Sequence, residues 1–143
     1  MSSWLLLHYK LPSKPSALRV YIWRKLKRTG AILIHEAIWV LPDVPRTAEQ
    51  VQWLTAEIYE MGGNAYYWRA KAVLADQEQS LVQQFNHQVD AIYSRLLKAM
   101  EKSRVDLQEI ARQYQETAEK DFFHSRLGVR VRETLTSKRG EKS

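Results

Sequence analysis

The chain predicts an α+β fold of the ferredoxin-like kind: a four-stranded antiparallel sheet in βαββαβ order, followed by a helical C-terminal extension. Three observations lead there. Short apolar runs and helical periodicities follow one another as strand, helix, strand, strand, helix, strand over residues 4–74. Proline and glycine mark the changes, at Pro12, Gly30, Pro42 and Gly62-Gly63. From Asp76 onward the spacing is helical only.

The first element is the apolar and aromatic run Trp4–Leu11, stopped by Pro12, which reads as a buried strand. Ser13-Lys14-Pro15-Ser16 then starts a helix. Over Ala17–Arg28, Leu18, Ile22 and Leu26 recur every fourth residue and form its inner face. At about 100° per residue, Arg24, Lys27 and Arg28 fall on the opposite arc. Gly30 stands where a helix commonly ends. Ala31–Ile34 and Ala37–Leu41, separated by His35-Glu36, read as a hairpin ending at Pro42. Thr47 and Gln50 have the spacing of a capping box, followed by Val51, Leu54, Ile58 and Met61 on one helical face. Gly62-Gly63 stops that helix. Asn64–Leu74 is the fourth strand, with Tyr66, Trp68, Ala70 and Ala72 alternating against Tyr67, Arg69 and Lys71.

Beyond it, Asp76 caps a long helix carrying Leu81, Phe85, Val89, Ile92 and Leu96. Ser103-Arg104-Val105-Asp106 is a fresh start for a helix with Leu107, Ile110 and Tyr114, and a short last helix includes Leu127, Val131 and Leu135. The expected organisation is a ferredoxin-like domain over residues 1–75, a helical extension over 76–136 packing on it or on a partner, and a polar flexible tail over 137–143.

Composition narrows the function classes. The chain has 143 residues, no cysteine, five Trp and seven Tyr. Disulfides, a thiol nucleophile and thiolate metal sites are therefore excluded. The apolar run at Trp4–Leu7 is too short to span a membrane, so the expectation is a cytoplasmic protein with no membrane partner. The net charge of +6 is unevenly spread. Residues 1–35 hold seven Lys and Arg and no acidic residue, residues 36–125 carry a net −5, and residues 126–143 a net +4. Clustered positive charge attracts polyanions. It also serves as an ordinary solvated surface, or pairs with the acidic middle of the same chain or of a second copy.

Catalytic signatures are missing. There is no GxSxG, P-loop or GxGxxG sequence, and no HExxH. His35-Glu36 is the most suggestive pair, because a turn could present both, and a hairpin histidine making an ordinary hydrogen bond is the better explanation of it. Glu57/Glu60 and Glu116/Glu119 fit solvated helix faces. We expect no catalytic residue, no metal and no cofactor. The basic helix carries more information, because Tyr21 and Trp23 interleave with its charges and Lys10 and Lys14 lie just before it. Basic residues beside aromatics can grip a phosphate backbone and stack on bases; the plainer alternative is a solvated face with Trp23 packed on the sheet.

Longer strings carry a resemblance. Trp4-Leu5-Leu6-Leu7-His8-Tyr9-Lys10-Leu11-Pro12-Ser13-Lys14-Pro15-Ser16 leads into Arg19-Val20-Tyr21-Ile22-Trp23-Arg24-Lys25-Leu26-Lys27. Gly30-Ala31, Trp39-Val40-Leu41-Pro42, Trp53-Leu54 and Glu60-Met61-Gly62-Gly63 follow, with Phe85, Tyr93 and Asp121-Phe122-Phe123 further on. Together they resemble the N-terminal domain of the ChrB family of bacterial chromate-resistance regulators. The resemblance implies a repressor of a chromate-efflux operon, relieved by chromate. The front half is also similar to the central domain of PaaX-type repressors, which is related to a small nuclease-fold protein of CRISPR adaptation. Those CRISPR relatives hold a metal with an Asp at the end of the first strand, where this chain has His8-Tyr9-Lys10, so metal-dependent nuclease activity is not expected. PaaX-type proteins bind DNA through a separate winged helix, which is not seen here. ChrB proteins usually add a C-terminal domain implicated in the chromate response, so chromate sensing is expected to belong to a separate domain or protein.

The leading expectation is a DNA-associated regulator of chromate resistance that acts as a homodimer, with Lys10, Lys14, Arg19, Arg24, Lys27 and Arg28 contacting phosphates. The alternative is a protein–protein module whose helical extension docks a sensor partner without touching DNA.

Overall fold

In a computed structural model, which describes residues 2–142, the elements run β1 (Ser3–Lys10), α1 (Ser16–Thr29), β2 (Ile32–Ile34), β3 (Ile38–Pro42), α2 (Pro45–Glu60), β4 (Asn64–Lys71), α3 (Ala75–Met100), α4 (Leu107–Ala118) and α5 (Arg126–Lys142). The strands form one antiparallel sheet in the order β2-β3-β1-β4, the expected ferredoxin-like topology. The chain divides into two compact units, Met1–Gln79 and Ser80–Ser143, so the boundary falls inside α3 rather than ahead of it. α5 continues to Lys142, through the residues read from sequence as a tail. No helix among the described residues is long and apolar enough to cross a membrane.

In the first unit, strand alternation sorts the side chains onto two faces. Leu5 lines a cavity with Trp53 and Ala56 of α2, and Trp39, paired with Leu7, lies near Lys27 of α1. Odd-numbered β1 residues therefore face the helices. Leu5, Leu7, Trp39 and Leu41 form the sheet side of this core; Ile22, Leu26, Val51, Leu54 and Ile58 form the helix side, and all of them are buried. Leu18 is only half-buried, being nearer the open N-terminal end of α1. Gly30 ends α1 at φ 92°, where its N–H reaches Lys27 O at 3.1 Å and that of Ala31 reaches Leu26 O at 3.2 Å. That conformation favours a residue without Cβ.

α2 begins earlier than the expected Thr47 cap. Pro45 takes the first turn, where a missing N–H costs nothing. Thr47 is fully buried inside that turn; its hydroxyl accepts from Val44 N–H at 3.1 Å and donates to the Pro42 carbonyl. β4 also ends early, at Lys71 rather than Leu74, which leaves Val73 and Leu74 exposed.

The β2–β3 hairpin closes through His35 at φ 52° and Glu36 at φ 57°, with Ala37 N–H on Ile34 O at 3.0 Å. Two successive positive φ values make this a type I′ turn, for which Asn-Gly is the preferred pair. The left-handed conformation costs a side-chain-bearing residue roughly 1–2 kcal/mol, while glycine forfeits roughly 0.5–1 kcal/mol of chain entropy. Glu36→Gly is therefore expected to stabilise the first unit by about 0.5–1 kcal/mol in urea denaturation. An unchanged or lower midpoint would mean that the turn has another form.

The second unit is a helical core of Val89, Tyr93, Leu96 and Met100 from α3, Leu107 and Ile110 from α4, and Val131 and Leu135 from α5. As expected, Asp106 caps α4, its carboxylate accepting from Glu109 N–H at 3.1 Å. Phe85 meets Phe122 and Phe123 edge-on at ring distances of 5.8 and 6.2 Å. Tyr93, without solvent exposure, donates to Asp121 Oδ2 at 3.0 Å. Burial and that carboxylate together push its hydroxyl well above the ordinary tyrosine range. Asp121 also accepts from Ser125 N–H, and the Ser125 hydroxyl donates to Asp90.

Candidate nucleic-acid interface

The apolar periodicity of α1 decides what the helix shows to water. With Ile22 and Leu26 turned inward, Arg24, Lys27 and Arg28 must turn outward, and all three are exposed. Val20 and Trp23 share that outer surface; Trp23 is 47% exposed and is not packed on the sheet. The Lys27 ammonium lies 5.4 Å from the Trp23 ring centre and 6.0 Å from that of Trp39. Such cation–π contacts hold the charge in place while leaving its donors toward solvent.

Lys25 behaves differently. It lies toward α2, 2.8 Å from Glu57, with its ammonium 4.8 Å from the Tyr21 ring centre. Hydrogen bonding to Glu57 raises its pKa. Burial alone would raise Glu57, but the hydrogen bonds from Lys25 and Tyr21 and the Lys25 charge together outweigh it, and the carboxyl titrates below its ordinary value. Lys25 thus ties α1 to α2, whereas the outer arc of α1 keeps its charge uncompensated.

The six sequence-derived contacts fall into different places. Arg24, Lys27 and Arg28 share the outer arc of α1, and Arg19 is exposed one turn earlier on the same helix. Lys14 is exposed in the loop before α1. Lys10 is exposed at the end of β1 opposite Asn64, and its even register puts it on the sheet face turned away from the helices. None of the six is ion-paired among the described residues.

That other sheet face holds residues that sequence reasoning did not single out as a site. Tyr66 and Trp68 of β4 are 56% and 53% exposed, and His8 of β1 lies beside them. Their alternation along β4 was legible; which side the helices would cover was not.

A cavity of about 710 Å³ lies between α2 and the β1–β4 pair, lined by Leu5, Ala48, Trp53, Tyr67 and Arg69 among others. Arg69 is engaged there by Asp43 at 2.9 Å. His35 and Glu36 are exposed at the hairpin tip, and no group of three or more His, Asp or Glu residues that could hold a metal is found among the described residues.

Two comparisons bear on this arrangement. The family model described as "Protein ChrB, N-terminal" matches residues 19–132. Protein ChrB of Cupriavidus metallidurans is 30% identical over 78 residues, which are 54% of this chain and 24% of that protein. The aligned part thus spans about a quarter of that relative's length.

Proposed function

Because the chain belongs to the family of ChrB N-terminal domains, we propose that it takes part in the regulation of chromate resistance and binds duplex DNA through the outer arc of α1. The observation that carries the duplex reading is the placement of Arg24, Lys27 and Arg28 on one exposed helical arc, with no carboxylate paired to them among the described residues. Such a row neutralises phosphates and releases condensed counterions. Arg19 is exposed nearer the helix start but off this arc at about 100° per residue, and Lys14 adds charge in the preceding loop. Phosphate contacts position a protein on DNA without reading its sequence. Operator choice and the response to chromate are accordingly assigned to a separate domain or protein.

The test is a duplex-binding titration at several salt concentrations with the double variant Arg24→Glu plus Arg28→Glu. The variant is expected to fold normally, because both side chains point to solvent. Its affinity should fall, and the slope of log affinity against log salt should shrink by about two, roughly one per lost phosphate contact. A folded double variant with unchanged affinity and slope would remove α1 from the interface.

A further inference from the structure

The sheet face turned away from α1 and α2 carries a flat aromatic surface that the duplex reading does not use. Trp68 Nε1–H donates to His8 Nε2 at 2.9 Å. The two ring planes differ by 9° and their centres are 6.3 Å apart. Both the donor N–H and the acceptor lone pair lie in the planes of their rings. A short bond between them at so small a tilt sets the rings edge to edge, nearly in one plane, as the two bases of a pair share a plane. Tyr66 lies against both, 5.7 Å from His8 and 6.2 Å from Trp68, with tilts of 21° and 16°.

Tyr66 and Trp68 are open to water, with His8 half-buried beside them, although each of the two carries a large apolar area that a strand residue would normally bury. Adjacent exposed aromatics of this kind mark interaction surfaces. The surroundings favour a polyanion. Lys10 follows His8 by two residues on the same face and is exposed. Of the cations in β1 and β4, Lys10 shares this face while Arg69 and Lys71 lie on the other, and neither strand holds an acidic residue.

We propose that this face binds single-stranded nucleic acid, one base stacking on the His8–Trp68 plane, a neighbouring base against Tyr66, and Lys10 meeting the phosphate between or beside them. Exposed rings on an antiparallel sheet recognise unpaired bases because every base has a stacking face once it leaves a duplex. A double helix keeps those faces inside. The platform is therefore suited to a different ligand from that of α1, lies on the other side of the sheet, and stands whether or not α1 binds duplex.

The test uses fluorescence anisotropy of the full chain with labelled single-stranded oligonucleotides of about ten nucleotides, in matched DNA and RNA forms. Trp68→Ala is expected to weaken binding by about 5- to 150-fold, the range for loss of one stacked base. Trp68→Phe, which keeps a ring, should recover most of it. The dependence on Trp68 should persist in the Arg24→Glu plus Arg28→Glu background, and the DNA and RNA arms show which strand is preferred. Tyr66→Ala supplies the same comparison should Trp68→Ala fail to fold. Equal affinity of wild type and a folded ring-deleted variant would overturn the proposal. So would tighter binding of the same sequence as a duplex in the Arg24→Glu plus Arg28→Glu background, or self-association of the wild type that Trp68→Ala abolishes, which would assign the platform to a second copy of the chain.

Discussion

Ile22→Ala is expected to destabilise the first unit by about 2–5 kcal/mol, the range for deleting a buried aliphatic side chain. Ile22 has no solvent exposure and sits centrally on the inner face of α1, between the sheet and α2. Truncation removes transfer energy and leaves a cavity that close-packed neighbours fill only in part. A domain of this size has roughly 5–15 kcal/mol of stability in total, so the loss should be large. The readout is specific, because all five tryptophans lie between Trp4 and Trp68, within the first unit. Tryptophan emission in urea therefore follows this unit separately from the second. A midpoint equal to that of wild type would show that α1 does not pack through this face.

Gly63→Ala should cost about 3 kcal/mol by a different route, through overpacking against atoms that cannot move aside. A Cβ at position 63 would lie 2.5 Å from the Lys10 carbonyl oxygen, 2.9 Å from Leu11 Cδ2 and 3.0 Å from Ile58 Cγ2. A flexible side chain could swing away, but the nearest atom is backbone, held where Lys10 pairs with Asn64 at the junction of β1 and β4. Gly63 N–H is also bonded to Ile58 O at 2.9 Å, so the residue is gripped from the α2 side as well. Either the strands part or the end of α2 shifts. The same tryptophan-detected urea curve checks this, and a wild-type midpoint would mean that the approach of Gly63 to β1 is looser than described.

Much of the fold was legible because periodicity and punctuation agreed. Leu18, Ile22 and Leu26 announced the inner side of α1, Gly30 its end, and Asp106 the start of α4. The start of α2 was misjudged because Thr47 fits a cap by spacing, whereas Pro45 opens the helix and the Thr47 hydroxyl turns back to the chain before it. The candidate interface was legible in part. Helical geometry alone grouped Arg24, Lys27 and Arg28. It could not place Trp23, whose exposure depends on how tightly α1 lies on the sheet, nor Lys10, which neighbours α1 in sequence but is carried to the opposite sheet face by strand parity. The pairing of His8 with Trp68 was out of reach for a related reason. It depends on the register of two strands separated by α1, β2, β3 and α2, and a slip of one residue would turn every ring to the other face.

The central place of β1 also bears on how the protein is made. Its partners are β3, at residues 38–42, and β4, at residues 64–71, both synthesised well after it. At a translation rate of about 5–20 residues per second, β1 waits roughly 3–12 seconds for its second neighbour. Its run Trp4-Leu5-Leu6-Leu7 is apolar throughout, so the nascent chain carries an unpaired and adhesive segment during that interval. The hairpin of β2 and β3 can form locally in the meantime and give β1 its first partner. Emergence of residue 71 then closes the sheet, making the arrival of β4 the step that ends the period of risk for the nascent chain.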